Sequence, residues 1–326
     1  MKFITDRTMK KPHITLIGLG LIGSSLGLAL KQGGLAAHIY GTARTKETRA
    51  RALELGFVDI VYESAAEAVQ KADIVFINTP ISAMGEIAQT IAPHMQTGAI
   101  VTDTGSVKQA VIDLIQPVLP LGVHFVPAHP VAGTEHSGPD AGFADLFKDR
   151  WCILTPTQKT DSSAIDTIKT LWLSLGSQVE LMDAAHHDLA LAVTSHLPHL
   201  IAYNMVHTAA ARERVLQDEV VKFSAGGFRD FTRIAASNPI MWRDVFLYNQ
   251  KAILDILAHF SDDLAELRAM IESQNGDALE SLFSRTRSIR HAIIDAGQEI
   301  TAPDFGRRKA TQNNKDKTVQ NNIDKD

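Results

Sequence analysis

The sequence predicts an α/β protein in two parts, a parallel doubly wound sheet followed by an all-helical segment. Three observations point there. Short apolar runs alternate with longer helical periods from residue 13 to about residue 182. A Gly18-x-Gly20-x-x-Gly23 pattern sits where the first strand turns into the first helix. From Asp183 strand-like alternation stops and helical periods run to about Ala296.

The elements follow in order. Ile14 to Ile17 is a β-branched run that opens the sheet, and the apolar helix Leu26 to Leu30 is stopped by Gly33-Gly34 in C-cap position. His38 to Tyr40 is the next strand, and Thr45 opens a helix that runs to Leu55 and ends at Gly56. Ser64-x-x-Glu67 reads as a capping box for a helix ending near Ala72. Asp73 to Asn78 is an apolar strand broken by Pro80, followed by a helix near Met84 to Ala92. Ala99 to Asp103 is a strand and a helix starts at about Val107. Val123 to Val126 reads as a buried strand, after which Pro127 and Pro130 take the chain out of the sheet. Trp151 to Thr155 and Gln178 to Met182 are two more strands around a helix from Ser162 to Leu175.

The expected domains are therefore a Rossmann-type unit over residues 1–182 and a helical unit over 183–300. The helical periods are Leu189 to Ala211, Asn238 to Phe260, Asp262 to Ser273 and Asp277 to Ile294. Residues 301–326 are polar and charged, with Val319 and Ile323 nearly their only large apolar side chains, so a disordered tail is expected.

Composition narrows the class. The 326 residues are 45% hydrophobic, and 32 basic against 37 acidic side chains give a net charge of −5, which is no footprint for nucleic acid. Cys152 is the only cysteine, so no intrachain disulfide forms and a reducing compartment is expected. The first twelve residues carry Lys2, Asp6, Arg7, Lys10 and Lys11 without the apolar core of a signal peptide. His13 to Leu30 lacks Asp, Glu, Lys and Arg and imitates a membrane span, but four glycines and two serines in it fit a strand, turn and helix better. A cytoplasmic protein without a membrane partner is expected.

The residues that carry chemistry lie at turns after strands. Gly18, Gly20 and Gly23 would let backbone approach a dinucleotide pyrophosphate at a helix N-terminus, with Leu21 and Ile22 between them. An NAD site usually places a carboxylate about twenty residues further on; here stands Gly41-Thr42-Ala43-Arg44-Thr45, with none before Glu47. The cofactor is thus NAD or NADP, and Arg44 facing a 2′-phosphate leans towards NADP. An exposed arginine in a first helical turn is the plain alternative. Thr79 and Ser106, each just past a strand, complete the expected cofactor set. Ser106 would alternatively cap the next helix.

His129 lies between Pro127 and Gly133 just past a strand, where open α/β sheets place their ligands. Ser195-His196-Leu197-Pro198-His199 puts two histidines on one helix face, with His186, His187 and Asp188 upstream. No metal site is expected, because no second ligand cluster has closed-site spacing. Gly226-Gly227-Phe228-Arg229-Asp230-Phe231-Thr232-Arg233 precedes a helix with its cap at Ser237 and otherwise reads as a solvated turn. Arg285, Arg287 and Arg290 read as a wet helix face.

Taken together, the motifs resemble the prephenate/arogenate dehydrogenase family of tyrosine biosynthesis. They are Gly18-Leu-Gly-Leu-Ile-Gly-Ser24, Asp103-Thr-Gly-Ser-Val-Lys108, His129-Pro-Val-Ala-Gly-Thr-Glu135, Ser195-His-Leu-Pro-His199 and Phe228-Arg-Asp-Phe-Thr-Arg-Ile-Ala235, with Pro239-Ile-Met-Trp242-Arg-Asp244 in support. The match spans roughly residues 13 to 296 and resembles the stand-alone form, without an added mutase or regulatory domain. It implies oxidative decarboxylation of prephenate to 4-hydroxyphenylpyruvate, or of arogenate to tyrosine. It implies His129 as acceptor of the hydroxyl proton, with Ser106 orienting it, and Arg233 as the grip on a substrate carboxylate. His199 would line the substrate pocket, and Glu135, Asp188 and Asp230 would be supporting ionic partners. A homodimer through the helical half is expected, with Trp242 reaching the partner's site. Two other readings remain: a β-hydroxyacid or imine reductase using Lys222 or Lys251, and a nucleotide-sensing module without turnover.

Overall fold

The computed structural model describes residues 11–216 and 226–295. The expected tail at 301–326 and Lys222 lie outside them. The chain forms two compact units, residues 1–257 and 258–326.

The first unit opens with six parallel strands: β1 (His13–Ile17), β2 (His38–Thr42), β3 (Ile60–Tyr62), β4 (Ile74–Ile77), β5 (Ile100–Asp103) and β6 (His124–Val126). Their spatial order is β3-β2-β1-β4-β5-β6. The chain reverses direction of growth between β1 and β4, so the crevice for a ligand opens at the C-terminal ends of those two strands. Alternation along β4 decides what each face buries. Ile74 and Phe76 enter one core with Leu26, Leu30 and Trp172; Val75 and Ile77 enter the other with Met84, Val111 and Trp242. Complete burial of a side chain such as Phe76 or Trp172 is worth about 1.5–3 kcal/mol or somewhat more for the larger ring.

The connecting helices are α1 (Leu21–Gly33), α2 (Lys46–Glu54), α3 (Ala65–Ala68), α4 (Ile81–Ile91) and α5 (Gln109–Ile115). Gly34 ends α1 at φ 58°, and the Thr45 side chain caps α2 by accepting from Thr48 N–H. Ser64 precedes α3 but makes no side-chain cap bond, so the capping box is not formed. Ser106 is likewise not the cap of α5, which begins after Lys108. The short strand β3 was not expected from its sequence, where only three residues pair with β2.

The largest departure concerns the histidine turn. The prolines do take the chain out of the six-stranded sheet, but Ala128–Pro130 forms β7 of a second one, in the order β7-β8-β9. β8 (Trp151–Leu154) runs antiparallel to β7, and β9 (Gln178–Leu181) pairs parallel with β8 around α6 (Ser162–Ser174). Proline forbids donation, not acceptance: the Pro127 carbonyl takes the Thr155 N–H at 3.0 Å, and β7 is an edge strand.

The helical part begins with α7 (Ala184–Leu191), a π-turn at Ala192–His196 and α8 (Leu197–Leu216). Pro198 has no N–H to close the helix behind it, and the wide turn falls just before it. Residues 226–232, expected as a turn, form helix α9 (Gly226–Thr232). The next cap is Asn238 rather than Ser237: its side chain accepts from Ile240 and Met241 N–H at 2.9 and 3.1 Å. The expected helix from Asn238 to Phe260 is broken at Asn249 into α10 (Pro239–Tyr248) and α11 (Gln250–Glu272). In the second unit, α12 (Gly276–Asp295) buries none of its residues within this chain.

Candidate active site

At the β1–α1 turn Gly18 has φ +94°, and a Cβ there would stand 2.7 Å from the Asn78 carbonyl oxygen. A Cβ on Gly23 would stand 2.1 Å from the Gly18 oxygen. Both glycines are thus demanded by backbone packed on backbone. Gly20 is different, because a Cβ there meets nothing within 4 Å. The turn has open space where a pyrophosphate would approach. Beside it the Asn78 amide nitrogen and the Thr79 hydroxyl are buried without a hydrogen-bond partner. Leu21 and Ile22 begin α1 and pack partly into the core beneath. The crevice therefore fits a dinucleotide. Arg44 lies exposed after β2 and close to the neighbouring Thr45 cap.

His129 sits on β7, almost wholly buried, with its Nδ1 2.8 Å from His187 Nε2. His187 Nδ1 in turn lies 2.8 Å from Asp188 Oδ1. Asp188 also accepts the backbone N–H of Lys108 at 2.7 Å and of Gln109 at 3.0 Å. Burial lowers the pKa of His129 well below 6.5, and the nearby His187, Lys108 and His196 add to it. Burial also lowers that of His187, against the pull of Asp188. Both rings are therefore neutral near pH 7. A carboxylate only accepts, so His187 places its proton on Nδ1 and accepts at Nε2. His129 must then donate from Nδ1, which leaves its Nε2 lone pair free to receive a proton.

Around this pair stand the residues of the helical part. His199 stacks on Trp242 with ring centroids 3.6 Å apart, and His196 meets the same indole edge-on at 6.0 Å. Burial brings His196 down to about 4. Asn249, at the break between α10 and α11, bonds the Asp188 carbonyl at 2.8 Å and His196 Nδ1 at 3.1 Å. Burial lowers the His199 pKa, with Arg233 adding to it through space, and Arg233 approaches Glu135 at 3.4 Å. A cleft of about 440 Å³ opens on that pair, lined by Glu135, Phe228, Arg229, Thr232, Arg233 and Ala236. Ser106 is half-buried in the turn after β5, with its backbone towards His196.

Two of the expected site residues have clear surroundings. Trp242 is 6% exposed and packed between His196, His199 and Phe246 of its own chain. Asp230 is exposed and 3.3 Å from Arg229, in the manner of a surface ion pair. The sequence marks His187 only as one of several histidines upstream of His196. The neighbouring Asp188 hints at an oriented ring, but nothing in the sequence links it to a residue 58 positions away.

Comparison with known proteins gives the family. The family described as prephenate dehydrogenase, nucleotide-binding domain, matches residues 26–181, and that described as prephenate dehydrogenase, dimerization domain, matches residues 183–285. The chain belongs to the prephenate dehydrogenase family. A cyclohexadienyl dehydrogenase of Zymomonas mobilis is 45% identical over 86% of this chain and 96% of its own length. The crystal structure of prephenate dehydrogenase from A. aeolicus, in complex with hydroxyphenyl propionate and NAD+, superposes with a TM-score of 0.82. It is 34% identical and covers 88% of this chain and 100% of its own. A Synechocystis arogenate dehydrogenase superposes at 0.72 with 31% identity, over 86% and 99% of the two chains. The protein is accordingly an NAD(P)-dependent oxidoreductase of the prephenate/arogenate dehydrogenase class.

The glycines of this dehydrogenase separate folding from binding. Gly20→Ala should keep a melting temperature close to the parent's while weakening NAD(P) binding about tenfold or more, a cost of about 1.4 kcal/mol. Gly23→Ala should lower the melting temperature as well, because its methyl meets backbone. Thermal melts paired with titration of the dinucleotide check both.

Proposed function

We propose that the chain oxidises prephenate to 4-hydroxyphenylpyruvate, with His129 as the proton acceptor. The observation that carries this reading is the His129–His187–Asp188 line, which leaves His129 Nε2 bare and neutral. When bound, the oxidised nicotinamide supplies the hydride acceptor. His129 Nε2 takes up the substrate hydroxyl proton as carbonyl character grows at the carbinol carbon and hydride leaves it. The bond from ring to carboxylate then breaks, carbon dioxide departs, and the bonding pair restores the aromatic ring. The proton returns to the phenol oxygen. Ser106 would orient the histidine and the nicotinamide. Arg233 presents a planar fork suited to a substrate carboxylate, with Glu135 beside it and His199 and Trp242 as a flat wall. Arogenate, which differs only in carrying an amino-acid side chain, is the second substrate to assay.

Substitution at the two ends of the site should give opposite kinetic signatures. His129→Asn should lower kcat by about 10²–10⁴ with little change in KM, as loss of a general base does. Arg233→Ala should chiefly raise KM for prephenate. In the parent, the acid limb of the kcat/KM profile should lie below 6.5, because protonation of a buried histidine is disfavoured. An unchanged kcat in His129→Asn removes it as the base.

For the cofactor we propose NADP over NAD, on the absence of a carboxylate after β2 and the exposed Arg44. Arg44→Ala should weaken NADP far more than NAD, read from KM for each with prephenate. Equal losses would return Arg44 to an ordinary surface residue.

We also propose a cytoplasmic homodimer. Among the described residues no helix is long and apolar enough to cross a membrane. Leu189, Val193, Ile240, Leu247 and Leu254 are between 45% and 64% exposed in the first unit. Within the second unit Leu264, Ile271, Phe283 and Ile289 are between 49% and 63% exposed. Apolar faces of this extent call for a partner surface, and two-fold pairing is the commonest. The match of residues 183–285 to a dimerization-domain family supports it. Sedimentation at low micromolar concentration should show twice the chain mass, and a fully active monomer would refute the dimer.

A further inference from the structure

Strand β7 has a neighbour on one side only. The chain groups that face β8 belong to residues 127, 129 and 131: the Pro127 carbonyl takes the Thr155 N–H, and the Val131 N–H donates to the Trp151 carbonyl at 2.8 Å. Backbone groups alternate along a strand, so Ala128 turns its N–H and its carbonyl to the open edge. There they meet the two ends of one buried ion pair. Asp103 Oδ1 accepts the Ala128 N–H at 3.1 Å, and Lys108 Nζ donates to the Ala128 carbonyl at 2.7 Å. Lys108 Nζ also pairs with Asp103 Oδ2, which accepts the Gly105 N–H at 2.8 Å. Both side chains have no solvent exposure.

A lysine buried this completely is unusual, and stability alone is a poor reason for it, since well-packed apolar residues often replace such pairs without loss. Its connections suggest another. The backbone N–H of Lys108 is held by Asp188, which holds His187, which holds the His129 ring. The side chain of Lys108 holds the peptide on which His129 is mounted. Peptide and ring of His129 are thus both tied back to residue 108.

We propose that the Asp103–Lys108 pair is a positioning device for His129, fixing its peptide so that the ring stays on His187 and Nε2 faces the substrate. This rests on His129 as the proton acceptor. The charged and titratable groups around that ring are Asp103 of β5, Lys108 before α5, Cys152 of β8, His187 and Asp188 of α7 and His196 of the π-turn. The positive charge of Lys108 favours neutral His129, so its removal lets the histidine protonate at higher pH.

The test uses the full-length enzyme. Lys108→Met should lower kcat about 10²-fold, the scale of a small misplacement of a catalytic group, while KM for prephenate and dinucleotide stays within about threefold. The acid limb of kcat should move to higher pH. The double variant Asp103→Leu/Lys108→Met removes the buried charge altogether. It should melt near the parent temperature and still show the kcat loss, because the Ala128 groups remain unheld. Carbon-13 labelling of histidine Cε1 follows the His129 ring itself, with its signal identified by its loss in His129→Asn. That signal should titrate at higher pH in Lys108→Met. A kcat within about threefold of the parent in the double variant, or an unmoved His129 titration in Lys108→Met, overturns the proposal. If His129→Asn retains full turnover, the base assignment fails instead, and the ring signal still reports separately on the clamp.

Discussion

A single buried carboxylate joins the two halves of this chemistry. Asp188 enters from the helical part and meets the backbone N–H groups of Lys108 and Gln109, which follow the sheet strand β5. Taking a carboxylate out of water is expensive unless its lone pairs are met by donors, and three donors meet this one: two amides and the His187 ring. The arrangement has few alternatives. Any sliding of α7 along the sheet edge would leave a charge, two amides and an imidazole unsatisfied together, so the position of His187 is set to within a hydrogen bond. A second tie of the same kind lies further along the edge. Asp244 on α10 bonds the Ser82 hydroxyl at 2.5 Å and approaches its N–H at 3.4 Å, in the first turn of α4. α10 carries Trp242, so the wall of the proposed substrate pocket is registered on the sheet by that contact.

The π-turn has a comparable role. Histidines three apart on a regular helix share a face, but one indole must be approached edge-on by one ring and flat by the other to accept both. The turn at Ala192–His196 widens the helix between α7 and α8, and His196 and His199 reach Trp242 in those two orientations. Pro198 is the local cause, since it cannot bond the carbonyl four residues back. A defect in the helix ladder thus becomes the geometry of the pocket.

The doubly wound sheet was readable because its signals are local. β-branched runs, Gly34 at a positive φ, the Thr45 cap and the glycine turn each act within a few residues. What escaped reading depends on partners far away in sequence. β7 exists because β8 offers it an antiparallel neighbour, so the prolines that announce an exit from one sheet say nothing about entry into another. His187 becomes the orienting partner of His129 only once α7 has docked. For Trp242 the sequence leaves core and site both open, because whether an indole faces inward depends on the whole of α10. The helix at Gly226–Thr232 was masked by its two glycines, which weaken a helix by roughly 1 kcal/mol each without forbidding it.

Burial around His129 has a consequence for how the proposed reaction proceeds. A base whose pKa is held well below that of free imidazole is a weak one, and it would gain little by removing a proton from an alcohol in the ground state. Its advantage arises later, when departure of hydride makes the hydroxyl far more acidic and the hydrogen bond to Nε2 strengthens. The His187–Asp188 line serves that moment, because positive charge appearing on His129 is met through His187 by a fixed carboxylate. Groups that are already oriented need no reorganisation as charge develops. A neutral, poorly basic histidine with a carboxylate one ring behind it therefore favours the transition state over the ground state. Low basicity and a firmly held ring are parts of one solution.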